Sequence, residues 1–369
     1  MNPGTRDARS RSARRRDSFT VAMVCPQSGV GGLFGPSCRA VAELAAHELN
    51  DDGGVLGREV DLIEVDSGVA APRLAAEVDA LVSSGRVDAI TGWHISSQRH
   101  LLSSVVRGRV PYVYTALYEG GETRPGVLAS GEVPGTQVAP ALSWLATNLG
   151  VRDWLAVGHD YVWPRRSAEY VASVAPDLGL RFGGARFTGM GDEAAVTELV
   201  DVVEERSVRS RTTLGVVMFL VGQDAVLFNR EFAARGLHDR VIRFSPLMDE
   251  HMLMGSGDDG AIGLYSSAGY FRSLTTADTL DLQGRYSALH GPGAPALSNT
   301  AESCFEGMIA LSRWVGRAGS TDPRRLTAAV EGLAYEGPRG VVRFAGPQGR
   351  HDVYLARADG YDFEVVATL

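Results

Sequence analysis

Residues 153–166 read DWLAVGHDYVWPRR, and the fold turns on how that stretch is divided. Trp154 to Gly158 form a short apolar run, the pattern of a strand buried in a sheet. Tyr161 and Trp163 follow where the strand ends and a helix is about to start, with Pro164 closing the pair. In open α/β sheets that is where function sits, because ligands bind in the crevice beyond the carboxyl ends of strands.

Outward from this stretch, strands rich in Val, Ile and Leu alternate with amphipathic stretches. FTVAMVC (19–25) leads to a helix over 36–51, REVDLIEVD (58–66) to PRLAAEVDALVSS (72–84), and VDAITG (87–92) to SSQRHLLSSVVRGR (96–109). VPYVYT (110–115) runs into a glycine-rich loop, and a helix carries QVAPALSWLATNL (137–149). A second set follows: DWLAVG, LRFGGARF (180–187), TLGVVMFLVG (213–222) and RVIRFS (240–245). This order of βαβ units predicts mainly parallel sheets with helices on both faces, in two similar lobes. From about Ala261 the pattern changes to a strand-like run, AIGLYSSAGYF, and helices over 276–289, 299–316 and 323–332. The end, 339–366, alternates apolar and polar residues between turns, which reads as antiparallel strands.

Composition narrows the function. A chain of 369 residues is comfortable for two cores, and a net charge of −8 does not suit nucleic acid or an anionic membrane. All 36 basic residues are arginine, which removes Schiff-base chemistry and the phosphate-loop lysine. Residues 1–17, with six arginines against two aspartates, read as a disordered basic tail. The run Phe19–Cys25 is too short for a signal-peptide core and reads as the first strand, so a cytoplasmic location is expected. An exported, membrane-associated protein with a misassigned start is the alternative. Three cysteines, Cys25, Cys38 and Cys304, show neither a disulfide framework nor zinc spacing. Cys38 and Cys304 read as small core residues.

Catalytic readings fail on spacing. SGVGGLFG (28–35) sits between strand and helix like a dinucleotide loop, with Asp66 placed to hold a ribose, but its third glycine position is Phe34. No G-x-S-x-G occurs, and His94 and His100 lie six apart without a carboxylate cluster, so no metal site is indicated. The chain reads as no enzyme, with no cofactor. What remains is a set of neutral groups at strand ends: Gln27 and Ser28, Trp93, His94, Ser96 and Ser97, Tyr114, Thr115 and Tyr118, Tyr161 and Trp163, Gly222 and Gln223. Ser96 or Ser97 also reads as a helix cap. A cleft lined by hydroxyls, amides and ring faces suits a small, polar, uncharged ligand.

At these residues the chain resembles the type I periplasmic-binding-protein family, in its amide- and urea-binding branch, and within that the cytosolic amide sensors of the AmiC type that act as negative regulators. The markers are ELNDDGGVLGREVDLIEVDSG (48–68), GHDYVWPR (158–165), YEGPRGVVRF (335–344) and GRHDVYLAR (349–357), in that order. The resemblance implies two doubly wound α/β lobes joined by a three-stranded hinge, residues 18–137 with 265–334 and residues 138–264 with 335–369. It implies a neutral amide in the interlobe cleft, held by Ser96 and Tyr114 from the first lobe and by Tyr161 and Trp163 from the second. His94 and Trp163 stand where the sensors have tyrosines, and Ala116–Leu117 replace Thr-Pro. These departures point to a larger or more apolar amide, or a urea derivative. An amino-acid ligand would need a carboxylate for its ammonium group, for which Asp160 and Glu250 are the candidates. Two functions follow: a sensor that closes on its ligand and signals to a regulatory protein, or a solute receptor feeding an ABC permease for amides, urea or branched-chain amino acids. No helix-turn-helix pattern calls for direct nucleic-acid contact, and a homo-oligomer is left open.

Overall fold

The computed structural model describes residues 18–369; the basic tail expected over 1–17 lies outside the described residues. The first lobe begins with β1 (Ser18–Cys25), α1 (Gly35–Asp51), β2 (Glu59–Asp66), α2 (Ala71–Ser83), β3 (Ala89–Gly92), α3 (Ser96–Val106), β4 (Tyr112–Tyr114) and β5 (Val127–Ala129). Every residue of β1 is buried, as expected of a strand with neighbours on both edges and helices on both faces. β2, at the sheet edge, buries only Val60 and Val65 and exposes Glu59, Asp61 and Glu64.

The chain then crosses through residues 130–133 into the second lobe. There it forms α4 (Pro134–Asn148), β6 (Asp153–His159), α5 (Val162–Val174), β7 (Arg181–Thr188), α6 (Glu193–Arg209), β8 (Leu214–Phe219), α7 (Gly222–Ala234), β9 (Val241–Ser245), α8 (Glu250–Ser256), α9 (Asp258–Ala261) and β10 (Leu264–Ala268). A second crossing, 269–276, returns to α10 (Ala277–His290), α11 (Asn299–Ala318) and α12 (Pro323–Ala329), which pack on the first lobe. β11 (Ala334–Gly337), β12 (Gly340–Ala345) and β13 (Gln348–Arg350) follow, and a third crossing, 351–353, leads to β14 (Tyr354–Asp359) and β15 (Asp362–Thr368).

The sheets run β11-β12-β13-β5-β4-β3-β1-β2 and β15-β14-β10-β9-β8-β6-β7. Pairing is parallel from β5 to β2 and from β10 to β7. The two doubly wound lobes and three crossovers are those the sequence implies. The first crossing falls at 130–133, so residues 134–137 belong to the second lobe and not to the first as expected, and the boundaries need correction at two further places. Residues 265–268 pair with β9 and stay in the second sheet. Residues 334–350 belong to the first sheet, with Gln348 of β13 beside Ala129 of β5. Burial explains the second: Tyr335, Val342 and Phe344 turn inward, and the Tyr335 hydroxyl donates to Glu306 of α11 at 3.3 Å.

Candidate ligand-binding cleft

Two adjoining cavities lie between the lobes. The larger, about 190 Å³, is walled by Ser28, Ser67, Trp93, His94 and Gln98 of the first lobe and by Met190 and Val221 of the second. The smaller, about 10 Å³, is a slot among Ser96, Tyr114, Ala116 and Leu117 on one side and Tyr161, Trp163 and Leu247 on the other. Trp93, His94 and Ile95 border both. Drug-sized ligands take pockets of roughly 300–1,000 Å³, so this space suits a molecule of few heavy atoms.

The first-lobe wall is built where β3 gives way to α3. Gln98 fixes that junction: its side-chain oxygen accepts from the Ile95 amide at 3.3 Å, and its nitrogen donates to the Ser67 carbonyl. This sets Ser96 as the first residue of α3, facing inward. The hydroxyls of Ser67, Ser96 and Tyr114 are buried there without a well-formed hydrogen bond, those of Ser96 and Tyr114 facing each other. Buried polar atoms are nearly always paired, so three unpaired hydroxyls bordering one cleft mark a place where something else is meant to bond. Tyr114 remains a neutral donor, because burial pushes its phenol well above the ordinary range.

His94 contributes its ring but no hydrogen bond to the cavity. Nδ1 faces the Val24 carbonyl at 3.2 Å and Nε2 the Tyr112 hydroxyl, so both nitrogens are occupied. Burial lowers its pKa to about 3, which keeps the imidazole neutral. Behind Tyr114, the Arg99 guanidinium lies 5.4 Å from the Tyr114 ring and 4.7 Å from the Tyr118 ring. Its charge is taken up by Glu119 and Glu122. Among the described residues lining the two cavities there is no arginine, aspartate or glutamate.

In the second lobe, Tyr161 is the N-cap of α5, and its ring sits 6.2 Å from that of Trp163. Trp163 is buried and stands edge-on to Phe219, 5.5 Å away, which holds the jaw rigid. The lobes touch at the cleft mouth, where the Gln223 amide donates to the Val30 carbonyl at 2.9 Å. Gly222 makes this approach feasible: its φ is +56°, and a Cβ there would lie 2.1 Å from Val30 O.

The structure therefore brings Ser28, His94, Ser96, Tyr114, Tyr161 and Trp163 together around one space. It places five expected residues elsewhere. Thr115 points into the core and accepts from Ser303 of α11 at 3.2 Å, since neighbours on a strand face opposite ways. Gln27 turns its side chain to Arg39 at 3.1 Å. Gly222 and Gln223 bridge the lobes and do not line the cavities; Val221 does. Glu250 is buried near the second crossing, where it accepts from the Arg272 amide at 2.8 Å. Asp160 pairs with Arg165 at 2.5 Å on the surface. Asp66 accepts from the Gln27 and Gly68 amides and from Ser28 Oγ, at 2.6–2.8 Å, fastening two loops. Ser67, Gln98, Met190 and Leu247 were missed. Ser67 carried the same signal as the others, a hydroxyl at a strand end; Met190, in a loop, carried none.

Comparison with known proteins places the chain. The profile of the periplasmic binding protein family matches residues 18–362, and the chain belongs to that family. It is a binding protein, not an enzyme. Solved structures share the fold at low identity. A solute-binding protein of an ABC transporter from R. palustris, in complex with 4-hydroxybenzoate, is 17% identical with a TM-score of 0.83, covering 96% of this chain and 97% of its own. LivJ, the branched-chain amino acid transporter substrate-binding protein of Streptococcus pneumoniae, in complex with isoleucine, is 14% identical with a TM-score of 0.80, covering 95% and 99%. An ABC transporter substrate-binding protein from Sphaerobacter thermophilus is 19% identical with a TM-score of 0.77, covering 95% and 98%.

Proposed function

We propose that this chain is the solute-binding component of an ABC-type uptake system, and that its ligand is a small uncharged molecule carrying an amide or urea group. The receptor role is supported by family membership and by fold neighbours that serve transporters. The ligand class is carried by one observation: three unpaired hydroxyls, from Ser67, Ser96 and Tyr114, border cavities otherwise walled by neutral side chains. A hydroxyl both gives and accepts, which matches the carbonyl and N–H of an amide. The aromatic jaw of Tyr161 and Trp163 would cover the ligand's planar or apolar face.

A benzoate or an amino acid fits this lining less well. A carboxylate calls for a cation or an array of donors, and the nearest guanidinium, Arg99, is already held by two glutamates. An ammonium group calls for a carboxylate, and neither Asp160 nor Glu250 borders the cavities. The same closure would serve a cytosolic sensor that reports to a regulatory protein, the role the amide-branch resemblance implies. The two differ in location and partner: a receptor is found with the cell envelope beside a permease, a sensor in the cytoplasm. Cell fractionation separates them.

The ligand test is a thermal-shift screen over small amides, ureas, benzoates and amino acids, followed by calorimetry of the hits. Uncharged amides or ureas are expected to raise the melting temperature, with an affinity flat between pH 5 and 8 because His94 stays neutral. Shifts produced by benzoates or amino acids alone would overturn the neutral-ligand reading.

A further inference from the structure

All three cysteines of the chain, far apart in sequence, converge on one point. Cys25 ends β1, Cys38 lies in the first turn of α1 and Cys304 in the second turn of α11. Each is buried, and the three sulfurs lie within 4.8 Å of one another, with 3.7 Å between those of Cys25 and Cys304. A metal about 2.3 Å from three sulfurs at the corners of a triangle needs sulfur–sulfur separations of about 4 Å. The cluster is within a small contraction of that geometry.

We propose that this triangle binds a single soft, monovalent metal ion of the Cu(I) class, held by the three cysteine sulfurs in trigonal geometry. The donor set selects the class. Thiolates favour soft ions, and an all-sulfur site excludes magnesium and calcium, which need oxygen. A structural zinc site takes four ligands, and among the described residues no histidine, aspartate, glutamate or further cysteine joins the three.

Cys38 and Cys304 lie near the N-terminal ends of their helices, where the backbone dipole is positive. Binding one Cu(I) forms three metal–sulfur bonds and releases the thiol protons to solvent, with no change in oxidation state. The route is short. Cys25 precedes Pro26, and Pro26 and Trp93 both line the larger cavity, so the site lies directly beneath the cleft floor.

The test uses the full chain, reduced and kept anaerobic, titrated with Cu(I) supplied as its bicinchoninate complex. One equivalent is expected to leave the chelator, to raise the melting temperature, and to show three sulfur neighbours at about 2.3 Å by X-ray absorption. Cys38→Ala and Cys304→Ala should each weaken retention at least tenfold with unchanged circular dichroism. Should either fail to fold, the melting shift of the unmodified protein still reads the site. No withdrawal of copper, or equal withdrawal by a variant with all three cysteines replaced by alanine, overturns the proposal. So does a Cys25–Cys304 disulfide that forms in preference to metal uptake.

Discussion

The cleft and the hinge are both buried, yet they treat polar groups in opposite ways. The cleft lining holds no carboxylate or guanidinium and leaves three hydroxyls without a well-formed hydrogen bond. Close to the crossings, Arg339 is fully buried among Glu306 at 2.6 Å, Glu302 at 3.2 Å and Glu132 at 3.7 Å, with His351 at 3.2 Å from its guanidinium. Glu132 in turn accepts from the Gly269 amide at 2.7 Å, tying the first crossing to the second. Charge in a low-dielectric interior fixes geometry only when it is paired, and an unpaired neutral hydroxyl waits for a partner at far smaller cost. The Arg339 cluster therefore holds the three crossings in register. The Ser130 and Ser273 hydroxyls of the crossings also lack partners, but of the two regions only the cleft keeps unpaired hydroxyls in a lining without any charged group.

The largest expected effect tests the hinge half of this contrast. Arg339→Met leaves the buried carboxyl groups of Glu132, Glu302 and Glu306 without their counter-charge, and should lower stability by about 3–5 kcal/mol in urea denaturation. Glu302→Gln should be nearly silent. Burial, reinforced by Glu306 and Glu132 against the pull of Arg339, pushes the Glu302 carboxyl well above its usual range, which favours its neutral form, the one glutamine mimics. A mild Arg339→Met, or a severe Glu302→Gln, would break the account of the hinge.

Glu250 gives the next effect, and its sign is fixed by linkage. Burial, with the charge of Asp249 beside it, raises its pKa from 4.5 to about 7. The folded protein thus binds a proton that the unfolded chain has already released between those values. Stability contributed by this proton is present below about pH 4.5 and is lost as pH rises through about 7, a span of up to about 3 kcal/mol. Glu250→Gln should remove that slope, read as the difference between the two stability–pH curves. Parallel curves would mean that the carboxyl is ionised throughout.

Tyr161→Ala moves the test to the cleft. Losing the ring should weaken binding of the best amide or urea by roughly 1–3 kcal/mol with little change in melting temperature, because Tyr161 is only half-buried. Trp163→Ala is the contrasting case: its ring also packs on Phe219, so affinity and stability should fall together.

How much of this could be read from residues alone follows the same division. Apolar runs such as β1 and β6, and the helical stretches between them, announce a parallel sheet because burial on both faces leaves no polar alternation. Ser96, Tyr114, Tyr161 and Trp163 were legible because each lies at a strand's carboxyl end, where the topology must open a crevice. Thr115 shows the limit: it shares the strand end with Tyr114, but the two-residue period sends it to the other face. The sheet assignment of β11–β13 was illegible, since short antiparallel strands pair with whichever edge is near and nothing in their pattern names it. The hinge cluster and the cysteine triangle escaped for a related reason. Their members come from distant segments, and only the crossings and the packing of α11 bring them together.

Ser96→Ala is the smallest change and the sharpest test of the unpaired hydroxyls in the cleft. In the unliganded protein its hydroxyl faces Tyr114 and Glu119 without a well-formed hydrogen bond, so its removal should leave stability nearly unchanged, because a buried polar atom that is poorly paired is itself a cost. With ligand bound, the same removal leaves an amide group facing a methyl, and affinity should fall by about 1 kcal/mol, roughly fivefold. The two measurements must move differently for the contrast to hold. A variant that loses stability and keeps its affinity would show that Ser96 belongs with the paired groups of the hinge, and that the unpaired hydroxyls are not what the ligand meets.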